Sequence, residues 1–311
     1  MIFPILNGLS SFRRSPVTWI LVLTNVFLFS QNWQQSKASR GQLQSWYQDG
    51  EFLTTQGRVY QQFKEARQPA FRSLKDRRFL GVMAFQDQDF LDQAQQTQWV
   101  GDQVAIRSWQ ESLEQYIFIR DFYPAYAHGV HAGDKQLFSF FSYQFFHEGF
   151  MHLFGNILLI MLVGNFLEKR HSGLLVFTTY LITGAGAAWL YTVLLGANGA
   201  PLIGASGSLC GLLGLFFTLH FQEKTNVLFF VLPKEGYYGL TRLQTGLWVP
   251  WLCVLEDIAG WMARPELYAG GISHFVHLMG FFCGCGLGLA LMAAKRLGKS
   301  EGDGLLKTES F

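Results

Sequence analysis

SGLLVFTTYLITGAGAAWLYTVLLGANGAPLIGASGSLCGLLGLFFTLHFQ, residues 172–222, contains no Asp, Glu, Lys or Arg, and neither does the stretch 267–294. A charge-free run of that length is what a bilayer-spanning helix requires and what an ordinary soluble core element rarely uses. The first run holds Gly204-Ala205-Ser206-Gly207 and the second holds His277. A nucleophile and a base set in two apolar segments suggest hydrolytic chemistry within a membrane.

Working outward, the chain divides into six expected spans at roughly 16–32, 149–167, 173–195, 205–222, 243–262 and 271–294. The fold class is therefore an all-α polytopic membrane protein with a six-helix core and a long outer first loop. The expected division is an inside N-terminal segment 1–15, a first transmembrane helix 16–32, the outer loop 33–148, a five-helix remainder 149–294 and an inside tail 295–311. Residues 17–29 follow Arg13 and Arg14 as a signal peptide would, but Gln31-Asn32-Trp33 offers no small-residue cleavage site, so this stretch is read as a retained helix. Thr225 to Leu232, a short apolar run before Pro233, reads as an interfacial segment. Glu256 and Asp257 in the fifth span must face protein, water or the interface, because an ionised group facing lipid costs about 2.5–3.5 kcal/mol.

Orientation follows from the basic residues. With an inside N-terminus, Arg13, Arg14, Lys169, Arg170, Lys224, Lys234, Arg242, Lys295, Arg296 and Lys299 all fall inside, and the two short outer connections carry only Arg264. The loop 33–148 is then outside. Its Gln-rich helical pieces, broken at Pro69, Gly81 and Gly101, read as a small helical excursion rather than a separate domain.

The chain is 311 residues long and 50% apolar, and its net charge of +2 with no basic stripe argues against a nucleic-acid partner. Cys210, Cys253, Cys283 and Cys285 all lie in apolar segments, which argues against a secreted disulfide framework. His147-Glu148 followed by His152 resembles a zinc-protease signature, but the second His comes at i+5 rather than the i+4 of HExxH and leaves the first one's face. No metal and no cofactor is therefore expected.

Spans two, four and six begin on the same side, so His152 and Asn156, Ser206, and His277 share one depth within about two turns of the outer helix ends. Ser206 could attack a carbonyl as His277 takes its proton, and His152 and Asn156, four apart on one helix face, could donate to the oxyanion. Gly207 and Gly211, with Gly280, Gly284 and Gly288, form smooth faces on which two helices can approach closely. The same features also suit a purely structural helix pair, in which Ser bonds a backbone carbonyl and His is an internal hydrogen-bond partner.

These residues resemble the rhomboid family of intramembrane serine proteases. The matching text is FFHEGFMHLFGNILLIMLVGNFLEKRHSG with His147, His152, Asn156 and Glu168; PLIGASGSLCGLLG with Ser206 in GxSG; HFVHLMGFFCG with His277, Gly280 and Gly284 in HxxGxxxG; and SPVTWILVLTNVFLF as the first span. The resemblance implies a rhomboid-like core and a catalytic dyad of Ser206 and His277, with His152, Asn156 and the Ser206 N–H forming an oxyanion hole. Two departures stand out. The first outer loop is long and lacks a Trp-Arg dipeptide, and Cys210 occupies the position where some members carry a tyrosine that packs on the catalytic histidine. His274 shares the face of His277 and reads as a neighbour without a role.

The expected function is an intramembrane serine endopeptidase that cuts membrane-protein substrates near the outer face through an acyl-enzyme. The alternative is a noncatalytic rhomboid-like membrane-protein binding module that captures partners with 33–148. Transmembrane protein substrates and membrane lipids are the expected partners. The expected location is the cell membrane as a multi-pass protein, of bacterial inner-membrane type, with both termini cytoplasmic. The outer loop is expected to guide substrates or to stabilise the lateral entrance, and its shortening to leave the active site intact, since the four site candidates lie in other segments.

Overall fold

The structure is a computed structural model that describes residues 2–5, 12–131, 136–195, 201–230, 238–255, 258 and 268–308. It is an all-α polytopic membrane protein. Segments Phe150–Arg170, Gly173–Val193 and His274–Leu297 are long and apolar enough to cross a bilayer, and Ser206–Leu219 and Thr245–Val254 are shorter apolar helices.

Strand β1 (Ile2–Ile5) is followed by helix α1 (Pro16–Gln48), which opens with Pro at its first position, where a missing N–H costs nothing. On α1, Ile20, Leu23, Val26 and Phe27 are exposed while Thr18, Leu21, Val22 and Asn25 are buried. Large apolar residues outward, with polar Thr18 and Asn25 inward beside Leu21 and Val22, is an arrangement lipid permits, since lipid tails give no reason to hide leucine. The start of α1 is fixed by Glu168. Its carboxylate accepts from Val17 N–H (2.9 Å), Thr18 N–H (2.8 Å) and Thr18 Oγ1 (2.7 Å), and Ser15 Oγ donates to Asn165 Oδ1 at 2.6 Å. A carboxylate on a helix N-terminus satisfies donors that have no partner within the helix and suits its dipole. Glu168→Ala is accordingly expected to cost about 2–4 kcal/mol, because it orphans buried donors. Thermal unfolding in detergent checks this: Glu168→Gln should lie between the two proteins, and an unchanged Tm in Glu168→Ala would refute the role.

Helix α8 (Phe150–Leu159) continues through a π-turn (Ile160–Gly164) into α9 (Asn165–Arg170), and α10 (Gly173–Leu195) returns beside it. Helix α11 (Ser206–Leu219) is central: every residue from Gly207 to Phe216 is buried. Strands β2 (Lys224–Phe230) and β3 (Tyr238–Gln244) form an antiparallel sheet in the order β1-β2-β3, with Val227 opposite Thr241 and Pro4. Helix α12 (Thr245–Pro250) leads into a second π-turn (Trp251–Leu255), and α13 (Tyr268–Thr308) closes the core.

Helices α11 and α13 touch backbone to backbone. A methyl group on Gly280 would overlap the Gly207 carbonyl, one on Gly284 the Gly211 carbonyl, and one on Gly214 the Phe281 carbonyl. The glycine faces expected from the spacing are thus the contact itself. On its other side α11 packs against α10, where Gly211 meets Thr183 and Gly184 meets Ser208 and Gln144.

Between α1 and α8 lies a second helical unit: α2 (Gly50–Glu65), a 3-10 turn (Pro69–Ser73), α3 (Arg77–Ala84), α4 (Gln88–Ala94), α5 (Gln103–Phe122) and α6 (Pro124–His128); the short α7 (Ser139–Ser142) comes just before α8. It has its own core, in which Phe52, Val59, Tyr60, Leu80, Phe90, Trp109, Leu113 and Tyr116 are buried together. Asp49, Asp76, Asp87 and Asp102 cap α2, α3, α4 and α5 with their side chains, which stops each helix from fraying where the chain turns.

Three sequence expectations change in detail. The first helix does not stop at residue 32 but runs to Gln48, since the Gln, Lys, Ala and Arg that follow form helices well. The run expected to be interfacial, Thr225 to Leu232, contributes strand β2, whose β-branched and aromatic residues suit a pleated ladder. The fifth span starts at Thr245 rather than 243 because β3 extends to Gln244; Glu256, Asp257 and Arg264 lie outside the described residues.

Candidate functional site

Ser206 is the first residue of α11, directly after Gly204-Ala205. Gly204 has φ +118°, a left-handed conformation that favours glycine. A side chain at 204 would also collide with the His152 ring, 2.6 Å from both Cε1 and Nε2, and would stand 3.8 Å from Asn156 Nδ2. His152 and Asn156, on the first two turns of α8, therefore face the backbone immediately before the serine. The first N–H groups of α11, which have no partner within the helix, begin at this same loop and carry the positive end of the helix dipole.

A single cavity of about 860 Å³ is lined by His152, Asn156, Ser206 and His277 together, with His274 and Cys210 also on its wall. Its remaining walls are largely apolar, including Met151, Leu159, Ile203 and Leu252, and its rim carries Arg40 and Glu148. Four residues from three remote sequence regions are thus brought into one space. Helix α11 has 14 residues and rises only about 21 Å, less than the roughly 30 Å hydrocarbon core of a bilayer. A helix of that length is too short to reach both faces of a bilayer, and Ser206 at its tip opens onto the cavity.

Asn156 is buried, and its Nδ2 has no hydrogen-bond partner among the described residues. A buried amide donor left unmade costs about 1–3 kcal/mol. Such a donor, directed at the loop that precedes a serine, suits an acceptor that arrives during a reaction. His274 meets His277 edge-on, with ring centroids 6.3 Å apart at 89°. It shares the cavity, a placement that helical spacing alone anticipated.

The sequence reading put His147 in a pattern without giving it a task. Burial, reinforced by the neighbouring His152, pushes the His147 imidazole down to about 3, so the ring is neutral at ordinary pH. Its Nε2 accepts a long hydrogen bond of 3.5 Å from Ala205 N–H, and its ring lies edge-on to His152 at 5.0 Å. Tyr143 and Gln144 were not anticipated at all. The Tyr143 carbonyl accepts from Gly204 N–H (3.0 Å), its hydroxyl donates to the Gly184 carbonyl (2.8 Å), and Gln144 Oε1 accepts from Ser208 Oγ (2.8 Å). The Tyr143 hydroxyl and Val276 stand against Gly207, so aromatic bulk behind the serine comes from the turn before α8 and not from position 210. The sequence signal for this was slight: a polar Tyr-Gln pair inside the apolar text FSYQFF. None of the four cysteines is in a disulfide, and Cys210 and Cys253 are both buried on the cavity wall.

A family model described as Rhomboid domain matches residues 134–294. The mouse (Mus musculus) Rhomboid-related protein 2 is 28% identical over 168 residues, which are 51% of this chain and 49% of that protein. The chain thus spans about half the length of this curated relative. Because the Rhomboid model matches just over half of the chain and takes in every wall of the cavity except Arg40, the chain belongs to the rhomboid family of membrane proteins.

Proposed function

We propose that the protein is an intramembrane serine endopeptidase. Ser206 is the nucleophile and His277 the general base that takes its proton and returns it to the leaving amine. His152, Asn156 and the Ser206 N–H receive the oxyanion of the tetrahedral intermediate, and collapse leaves an acyl-enzyme that water from the cavity hydrolyses. The observation that carries this reading is the convergence of all four side chains on one cavity, with the buried Asn156 amide unpartnered beside the Gly204 backbone.

The substrate is a membrane protein with a locally unwound, small-residue segment, since a regular spanning helix keeps its carbonyls paired and out of reach. The concentration of basic residues on one side of the spans supports cytoplasmic termini and cleavage near the outer face. Purified protein reconstituted with a panel of membrane peptides tests the proposal. Peptide hydrolysis that disappears in Ser206→Ala supports it. Binding of the peptides with no hydrolysis by either protein would favour a noncatalytic binding module instead.

Asn156→Ala is expected to raise the barrier to acyl transfer by about 1–3 kcal/mol, with the other donors compensating in part. Peptide affinity in the Ser206→Ala background should change little. A selective loss of affinity would assign Asn156 to substrate recognition.

A further inference from the structure

The helical unit between α1 and α8 grips the site at two points, and both grips end next to a candidate catalytic residue. The first is on the nucleophile loop. Val130 and Leu202 form an antiparallel pair with reciprocal N–H···O bonds of 2.9 Å, and Ile203 packs against the core of the helical unit. Gly129 is so close to this loop that a methyl there would crowd Ile203 and Pro201. Ile203 immediately precedes Gly204, so the backbone before Ser206 is held by the chain that follows α6.

The second grip runs through Arg40, on the part of α1 beyond the expected span, which Tyr123 at the end of α5 ties to the helical unit. Arg40 Nη2 donates to the Glu148 carbonyl and to Tyr123 Oη (3.2 Å), and its guanidinium stands 3.7 Å from Glu148 Oε1. Tyr123 Oη also donates to Glu148 Oε1 at 3.4 Å. Glu148 is flanked by His147, bonded to Ala205 N–H, and by Gly149, the N-cap of α8, which carries His152 and Asn156. Arg40 itself lines the cavity.

Resting on the protease reading above, we infer that this helical unit is a positioning part of the catalytic apparatus, with Arg40 as the residue that sets the first turn of α8 against the Ser206 loop. Oxyanion donors work only when fixed before the charge develops, and a misplacement of about 1 Å can cost on the order of 100-fold in rate. A guanidinium bonded at once to the Glu148 carbonyl and to Tyr123 supplies that fixity. Tyr123 lies outside the motifs that carry the chemistry, and Glu148 is held through its backbone carbonyl inside one of them.

Arg40→Ala and Arg40→Lys test the inference in full-length protein reconstituted in liposomes. Arg40→Ala should lower kcat by roughly 10–100-fold with KM little changed, because the donors are displaced while the peptide-binding walls remain. Arg40→Lys should recover part of the loss, since an ammonium can still donate to the Glu148 carbonyl. Hydrogen exchange at the amides of 147–156 and 201–206 should speed up in Arg40→Ala, also in the Ser206→Ala background, with the rest of the core unchanged. That readout decides the inference even where no peptide is hydrolysed, an outcome that would sink the protease reading by itself. Wild-type exchange in both segments would overturn the inference. So would a loss confined to KM, which would make Arg40 a substrate contact, or equal losses in both variants with a general fall in Tm.

Discussion

Replacing His277 with alanine is expected to lower peptide hydrolysis by about 10²–10⁴-fold, the usual contribution of a positioned general base. His277 lines the cavity with Ser206, yet the helix contact that holds α13 to α11 is made by Gly280 and Gly284, one and two turns further on. The variant should therefore fold, keep its Tm within the small range typical of substitutions outside a packed core, and still bind peptide. Cys210→Ala, on the same cavity wall, should be much milder in turnover. Turnover, peptide binding and Tm measured on both variants separate chemistry from packing. If His277→Ala and Cys210→Ala lose turnover only in proportion to Tm, the proton-transfer role is wrong.

The second large effect concerns the helix interface. Gly284→Val should destabilise the core by at least about 1–3 kcal/mol and remove activity with it, because the side chain has nowhere to go but into the Gly211 carbonyl. Forcing the two backbones apart also separates Ser206 on α11 from His277 on α13, so activity should fall further than stability. Gly286 provides the internal comparison: a methyl there meets nothing within 4 Å, and Gly286→Ala should be neutral or slightly stabilising. Detergent unfolding and hydrolysis of both variants check this, and equal tolerance at 284 and 286 would show that the close approach does not hold the site together.

The membrane core was legible because its signals were of the strongest kind. Charge-free length marks spanning segments, and glycines four apart on two of them mark the contact that the structure makes at Gly207, Gly211, Gly280 and Gly284. The four cavity residues could be placed at one depth by counting turns from helix ends. The helical unit between α1 and α8 was underestimated for a physical reason. Its buried positions do follow helical spacing, as with Phe52, Leu53, Gln56, Val59, Tyr60 and Phe63 in α2, but glutamine sits among them. Gln56 is fully buried because Nε2 donates to the Gly81 carbonyl (2.7 Å) and Oε1 accepts from Trp109 Nε1 (3.2 Å). A polar residue paid for by two hydrogen bonds looks like a surface residue in a sequence and acts as a core residue in a fold.

The same limit hid the links to the site. The expectation that the outer loop guides substrates or stabilises the lateral entrance, with the active site independent of it, rested on the four site candidates lying elsewhere in the chain. Contacts such as Val130 with Leu202, or Arg40 with the Glu148 carbonyl, join residues more than 70 positions apart, and no local pattern announces them. Pairing of this kind depends on tertiary geometry and becomes readable only once both elements are in place.

The most direct test of the central claim is covalent labelling with a fluorophosphonate, followed by peptide mass mapping of the reconstituted protein. The account predicts a single adduct on Ser206 that blocks peptide hydrolysis in proportion to labelling, is absent in Ser206→Ala and forms far more slowly in His277→Ala. An adduct that persists undiminished in Ser206→Ala, or hydrolysis that continues when Ser206 is fully labelled, would contradict it.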